Sequence, residues 1–193
     1  MQQVLFWVAP TVVILAVIAE PLFRFLLTEK WLPAVPYFQI LCVASVMYPL
    51  HAYNLNILKV KGRSDLFMRL SFIKKIIFTI GVFCAIPFGI YGLLYFQVIS
   101  TFIAFTTNTW YSGRLINYPM KEQIKDIAPI LILAALTGAI AWVLDNLLHN
   151  SLHIQDVVRI IITGSVYFFV YLSVSHYSRL SSFIDFRQLI IKK

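Results

Sequence analysis

Residues 76–113 decide the fold; they read IIFTIGVFCAIPFGIYGLLYFQVISTFIAFTTNTWYSG and contain no charged side chain. A membrane-spanning helix needs about 20 mostly apolar residues. This run of 38 residues is therefore too long for a single span. Its centre, residues 86–92, holds a proline and two glycines, which is typical of a turn. We predict two spanning helices joined as a hairpin, at residues 70–89 and 91–111.

The composition requires a membrane environment. Of the 193 residues, 60% are hydrophobic and only 12% are charged, and the mean hydropathy is +0.82. A soluble domain carries about 25% charged residues, so this chain has too few to cover a globular surface. The net charge of +8 is distributed between apolar runs instead of along one polar face, which argues against a nucleic-acid partner.

Four further apolar runs complete the predicted helices, at residues 4–27, 36–58, 127–147 and 158–177. Helices are expected because lipid offers no hydrogen-bond partners to an open backbone, and these runs lack the alternation of barrel strands. The sequence thus predicts an all-α protein, a polytopic transmembrane helical bundle of about six spans in a single domain over residues 1–177. Residues 178–193 are predicted to form a cytoplasmic amphipathic tail.

The lysines and arginines predict an orientation. With six alternating spans, 13 of the 16 fall on one side of the membrane, in the connection after the second span, the connection after the fourth span and the tail. The remaining three are Arg24, Lys30 and Arg159, at the opposite ends of spans. Cytoplasmic loops carry an excess of Lys and Arg. The basic loops and the C-terminus are therefore predicted to be cytoplasmic.

Polar residues in the second and third spans are candidates for binding a substrate. Lys74 and Lys75 are expected at the cytoplasmic start of the third span, where a lysine binds phosphate as a point charge or simply snorkels to the interface. In the second span Met47, His51 and Asn54 follow helical spacing, which puts His51 and Asn54 on one face. Those two residues either bind sugar hydroxyls or hydrogen-bond a neighbouring helix.

The fourth span carries a stripe of polar and small residues. Gln97, Thr101, Ala104 and Asn108 recur at intervals of three or four residues, so they share one helix face along the depth of the membrane. Such a stripe fits either the wall of a transport lumen or a polar seam between two helices. Gln97, Thr101 and Asn108 are therefore also candidate substrate-binding residues.

Glu20 and Arg24 form a candidate ion pair, because residues four apart face each other on a helix. The pair either lines a cavity and couples transport to protons, or lies at the interface where Pro21 ends a helix. No Gly-rich phosphate loop, nucleophile elbow or paired carboxylates within one span occur in the sequence. The sequence therefore predicts neither an enzyme nor a cofactor. His149 and His153 are too weak a pattern to predict a metal site.

Four segments of the chain resemble bacterial polysaccharide flippases. Residues 27–41, LTEKWLPAVPYFQIL, resemble the G-x-x-W-x-x-A-x-P-x-x-x-I-L segment of that family. Residues 61–66, KGRSDL, with IKK at 73–75, resemble its A-x-G-R-x-D-L…I-x-K cytoplasmic loop. GIYGL at 89–93 is similar to its G-I-x-G-L hairpin, and YPMKEQIKDIAP at 118–129 is similar to its approach to the penultimate span.

Together the four segments resemble Wzx-type lipopolysaccharide and colanic-acid exporters of the multidrug/oligosaccharidyl-lipid/polysaccharide superfamily. The resemblance covers roughly residues 4–177 and implies a place in the bacterial inner membrane. The implied function is transport of undecaprenyl-diphosphate-linked oligosaccharide repeat units for lipopolysaccharide or exopolysaccharide biosynthesis, with membrane lipids as further partners. Members have about twelve to fourteen spans in two lobes. The resemblance therefore implies a C-terminal portion whose partner is an N-terminal lobe.

Two alternatives remain at the level of sequence. One is a cation-coupled efflux antiporter of the multidrug type, whose pore usually needs an acidic residue deep in a span; only Glu20 approaches this requirement. The other is a non-transporting membrane scaffold or truncation.

Overall fold

The computed structural model describes residues 1–150 and 154–178, and within them the chain forms helices and no strand. The predicted all-α class is confirmed. The helices are α1 (Gln2–Val17), α2 (Ala19–Leu27), α3 (Val35–Ser45), α4 (Tyr48–Val60), α5 (Ser64–Ala85), α6 (Gly89–Ile116), α7 (Met120–Asn150) and α8 (Asp156–Tyr177). Short 3-10 turns cover Glu29–Ala34 and Ile86–Phe88. The predicted amphipathic tail lies, beyond Ser178, outside the described residues.

Four segments of the described chain are long and apolar enough to cross a membrane, and the α1–α2 pair is a fifth. The segment Ser64–Ile116 contains both α5 and α6, which fold back on each other. Phe78 of α5 stacks on Phe96 of α6 with ring centroids 5.6 Å apart, and Lys74 reaches Asn108. These pairings are antiparallel, so the segment is a hairpin of two helices, α5 and α6, as the proline and glycines at its centre predict.

The first span departs from its prediction as one helix over residues 4–27. Helix α1 ends at Val17, and α2 continues at an angle of 69°. Proline has no backbone N–H, and its ring clashes with the carbonyl four residues earlier. For Pro21 that carbonyl belongs to Val17, the last residue of α1. The second span is also divided, between α3 and α4, where Pro49 lies in the first turn of α4.

Helix α5 begins six residues earlier than predicted, and this changes the position of the two lysines. Its first residue is Ser64, so Lys74 lies about 15 Å along the helix at a rise of 1.5 Å per residue. The helix therefore begins ten residues before Lys74, whereas the sequence prediction placed its start close to the two lysines. They lie near the middle of α5.

Helix α7 is central to the packing of the bundle. It runs parallel to α1 and antiparallel to α8, and α1, α4, α6, α7 and α8 share one hydrophobic core. Tyr171 of α8 is fully buried and donates a hydrogen bond from its hydroxyl to the carbonyl oxygen of Phe6, at 2.9 Å. Large apolar side chains such as Phe83 and Phe169 are exposed on the outside. An apolar exterior of this kind is suited to lipid.

Candidate functional site

A cavity of about 590 Å³ lies between α4, α5 and α6, and we call it the polar cleft. Its lining includes His51 of α4, Lys74 and Lys75 of α5, and Gln97 and Thr101 of α6. The cleft thus brings together five of the seven candidate substrate-binding residues. Among the described residues no aspartate or glutamate lines it. Its formal charge is positive.

Lys74 is held in place by Asn108, the sixth candidate. The Lys74 ammonium donates a hydrogen bond to Asn108 Oδ1 at 2.7 Å, and Asn108 itself is buried in α6. A lysine that snorkels extends its ammonium to water at the membrane surface. Lys74 instead points its ammonium at a neighbouring helix, halfway along α5. An ionisable side chain that faces a cavity between helices and pairs with a buried polar group is the usual pattern of a charge tolerated in a helical membrane protein.

Asn54, the seventh candidate, lies outside the polar cleft. Its Nδ2 donates to Thr109 Oγ1 at 3.1 Å, and its Oδ1 accepts a hydrogen bond from Ser112 Oγ at 2.7 Å. All three side chains are fully buried between α4 and α6. Asn54 was predicted either to bind sugar hydroxyls or to hydrogen-bond a neighbouring helix, and the structure agrees with the second interpretation.

Replacing Asn54 with leucine is expected to destabilise the protein by about 1–2 kcal/mol, because two interhelical hydrogen bonds are lost and the hydroxyls of Thr109 and Ser112 lose a partner. Unfolding of the purified protein by SDS in mixed micelles measures this loss. The control is Asn56→Leu, the same change at an exposed position of the same helix. Equal stability of the two variants would show that the buried amide does not hold α4 to α6.

His51 adds an unsatisfied polar group to the polar cleft. The side chain is half-buried, and its Nδ1 has no hydrogen-bond partner among the described residues. Buried polar atoms in proteins usually have such a partner. His51 therefore brings a buried nitrogen without a hydrogen-bond partner to the edge of the polar cleft.

The predicted pair of Glu20 and Arg24 lies at the other end of the bundle, away from the polar cleft. Arg24 Nη2 is 3.0 Å from Glu20 Oε1, and Arg24 Nη1 is 3.5 Å from Asp156 Oδ1 at the start of α8. The second contact attaches the bent helix α2 to α8. In this arrangement both charges are engaged with partners.

Sequence reasoning missed the buried cation next to this pair. Arg159 is only 1% exposed and contacts both oxygens of Asp145, the shorter distance being 2.7 Å. Its Nη1 also lies 3.1 Å from Asp156 Oδ1 and 3.0 Å from His149 Nδ1. The sequence did contain a signal for this pair. Asp145 closes one apolar run and Arg159 opens the next, so the two opposite charges lie at neighbouring ends of consecutive helices. We call these residues, with Glu20 and Arg24, the charged cluster.

The described residues contain no group of three His, Cys, Asp or Glu side chains that could hold a metal ion. His153, the second member of the weak histidine pattern, lies outside them. The fold and the polar cleft define an all-α bundle with membrane-length helices and a cationic cavity between three of them. In comparisons with known proteins, no family model, curated protein or solved structure matches the chain.

Proposed function

We propose that this chain is part of a transporter that moves lipid-linked oligosaccharide repeat units, carried on undecaprenyl diphosphate, across the bacterial inner membrane for lipopolysaccharide or exopolysaccharide synthesis. The observation that carries the proposal is the place of Lys74 inside the polar cleft, halfway along a membrane-length helix. The four segments that resemble Wzx-type flippases supply the substrate class. Transport rather than catalysis is proposed, so the chain needs no cofactor for this activity.

The physical task of such a transporter is to replace water around charged and polar groups. A diphosphate and a glycan cannot cross hydrocarbon unaided, because burial of unpaired charge costs many kcal/mol. A cavity with two lysines offers the diphosphate counter-charges. Gln97 and Thr101 add polar atoms to the same wall. The cleft therefore has the charge and the donors that an anionic glycolipid requires.

The arrangement of helices supports the proposed orientation. Because α1 and α7 run parallel and α5 is antiparallel to α6, the start of α1 and the α4–α5 and α6–α7 connections share one end of the bundle. The two connections, together with about two turns of helix on either side of each, hold seven of the 12 basic residues that the structure describes: Lys59, Lys61, Arg63, Arg69, Arg114, Lys121 and Lys125. We propose that this end faces the cytoplasm, as the excess of Lys and Arg predicts.

The charges of the cleft disfavour the efflux antiporter. Such a pore attracts a cationic substrate with carboxylates, but the polar cleft contains lysines and, among the described residues, no carboxylate. Glu20 is paired with Arg24 at the far end of the bundle. A cation entering the cleft would be repelled by Lys74 and Lys75.

The test is the variant Lys74→Gln, expressed from the intact gene in a strain that lacks the chromosomal copy. Glutamine keeps a donor near Asn108 but removes the charge. Loss of one charged hydrogen bond is worth about 1.5–3 kcal/mol, so we expect transport to fall by roughly tenfold or more. Surface polymer should decrease, and lipid-linked repeat units should accumulate on the cytoplasmic leaflet.

The control is Lys61→Gln, which removes an exposed lysine at the end of α4 and outside the polar cleft. This variant should export polymer at the normal level. Membrane levels of both variants are compared by immunoblot. Normal export with Lys74→Gln at a normal protein level would contradict the proposed function.

A further inference from the structure

The polar cleft adjoins a second cavity, which no lysine lines among the described residues. This cavity measures about 690 Å³ and lies among α1, α3, α4 and α6; we call it the apolar chamber. Its α1 wall consists of Val4, Val8 and Val12, at intervals of four residues, and Leu41 of α3 adds to it. Among the residues that the structure describes, His51 and Tyr48 are the only titratable side chains in its lining.

The two cavities meet along a common boundary. Tyr48, His51, Gln97 and Thr101 line both of them. Lysines lie on one side of this boundary and a valine stripe on the other. His51 stands at the boundary with an unpaired Nδ1. A ligand that bridges the cavities would therefore meet cationic and polar groups at one end and hydrocarbon at the other.

We infer that the polar cleft and the apolar chamber form one binding site for a single anionic amphiphile, with its phosphate group between Lys74 and His51 and its hydrocarbon chain along the valine stripe of α1. The inference rests on the proposed function and adds to it the place where the carrier chain lies. Charge complementarity selects the headgroup, because the cleft has lysines and no carboxylate among the described residues. The apolar wall selects the chain, because burial of hydrocarbon is favourable.

The geometry separates the roles of the two cavities. Lys74 is tied to α6 through Asn108, so its ammonium has a fixed position beside the boundary. Val8 is half-buried on α1 and lines the apolar chamber only. A change at Lys74 should affect every phosphate ligand. A change at Val8 should affect only ligands that carry a long chain.

The experiment measures binding to the full chain in phosphatidylcholine nanodiscs, with empty nanodiscs subtracted. The probes are dodecyl phosphate, ethyl phosphate and dodecyl glucoside. We expect dodecyl phosphate to bind at least tenfold more tightly than either of the other two. Lys74→Gln should weaken both phosphates, and Val8→Trp, which fills the apolar chamber, should weaken dodecyl phosphate at least tenfold without affecting ethyl phosphate.

Val143→Trp is the matched control, since it makes the same change at an exposed position of α7 outside both cavities. Binding of dodecyl phosphate that is unchanged by Val8→Trp, or equally reduced by Val143→Trp, would overturn the single site. If Lys74→Gln still weakened the phosphates in that case, the proposed function would stand. The inference would also be overturned if dodecyl glucoside bound as tightly as dodecyl phosphate, or if dodecyl phosphate did not bind. If Lys74→Gln changed neither phosphate binding nor export, both proposals would fail.

Discussion

Replacing Arg159 with leucine is expected to destabilise the protein by about 3–5 kcal/mol, the usual cost of removing one partner from a buried ion pair. Arg159 and Asp145 are 1% and 4% exposed. Without the guanidinium, the Asp145 carboxylate would lose both of its charged hydrogen bonds while remaining buried. Asp156 and His149 would lose a shared partner as well. The effect is large because a buried charge without a counter-charge has no compensation from water.

The loss is measured by SDS unfolding of the purified protein, followed by far-UV circular dichroism. Arg63→Leu is the matched control, because Arg63 makes an ion pair with Asp65 at 3.2 Å in which both side chains are about half exposed. Exposed pairs of this kind contribute about 0–1 kcal/mol. If the two leucine variants unfolded at the same SDS fraction, the charged cluster would not stabilise the bundle.

A double variant tests why Arg159→Leu loses stability. Arg159→Leu combined with Asp145→Leu removes both buried charges and leaves apolar groups in their place. Replacement of a whole buried pair is often neutral, whereas breaking it is costly. We therefore expect the double variant to be more stable than Arg159→Leu alone. A double variant that is less stable than the single one would show that the residues act by separate contacts.

The sequence predicted the elements that depend on local pattern. The hairpin of α5 and α6 follows from an apolar run that is too long for one span and is interrupted by Pro87, Gly89 and Gly92. The stripe of Gln97, Thr101 and Ala104 follows from helical spacing, and all three line the polar cleft. Local spacing determines which residues share a face. It does not determine which neighbouring helix that face meets.

The features that sequence reasoning missed depend on tertiary contacts or on a helix boundary. Asp145 and Arg159 are separated by the α7–α8 connection, and their pairing requires the two helices to turn those faces toward each other. The start of α5 was misplaced because Ser64, Asp65 and Arg69 look like loop residues but belong to the helix. Asn54 and Asn108 have the same side chain and similar helical contexts. Only the packing shows that one ties two helices together while the other positions Lys74.

The second large effect is expected at a close contact between α7 and α1. A Cβ atom on Gly138 of α7 would lie 2.5 Å from Val13 Cγ1 of α1, which is well inside van der Waals contact. Gly138 follows Ala134 by four residues, and small residues at this spacing let membrane helices pack tightly. The substitution Gly138→Leu is expected to lower the free energy of unfolding by about 3 kcal/mol, because overpacking a close contact forces side chains and backbone to shift.

SDS unfolding measures this cost, and Gly164→Leu is the matched control because a Cβ on Gly164 of α8 would meet nothing within 4 Å. Shortening the opposing residue provides a second check. Residues in contact show coupled effects in a double-mutant cycle, so Val13→Ala should relieve part of the loss caused by Gly138→Leu. Equal losses at the two glycines, with no relief from Val13→Ala, would mean that α7 does not fix the position of α1. The position of α1 matters for function as well as stability, because the same helix carries the valine stripe proposed to hold the carrier chain.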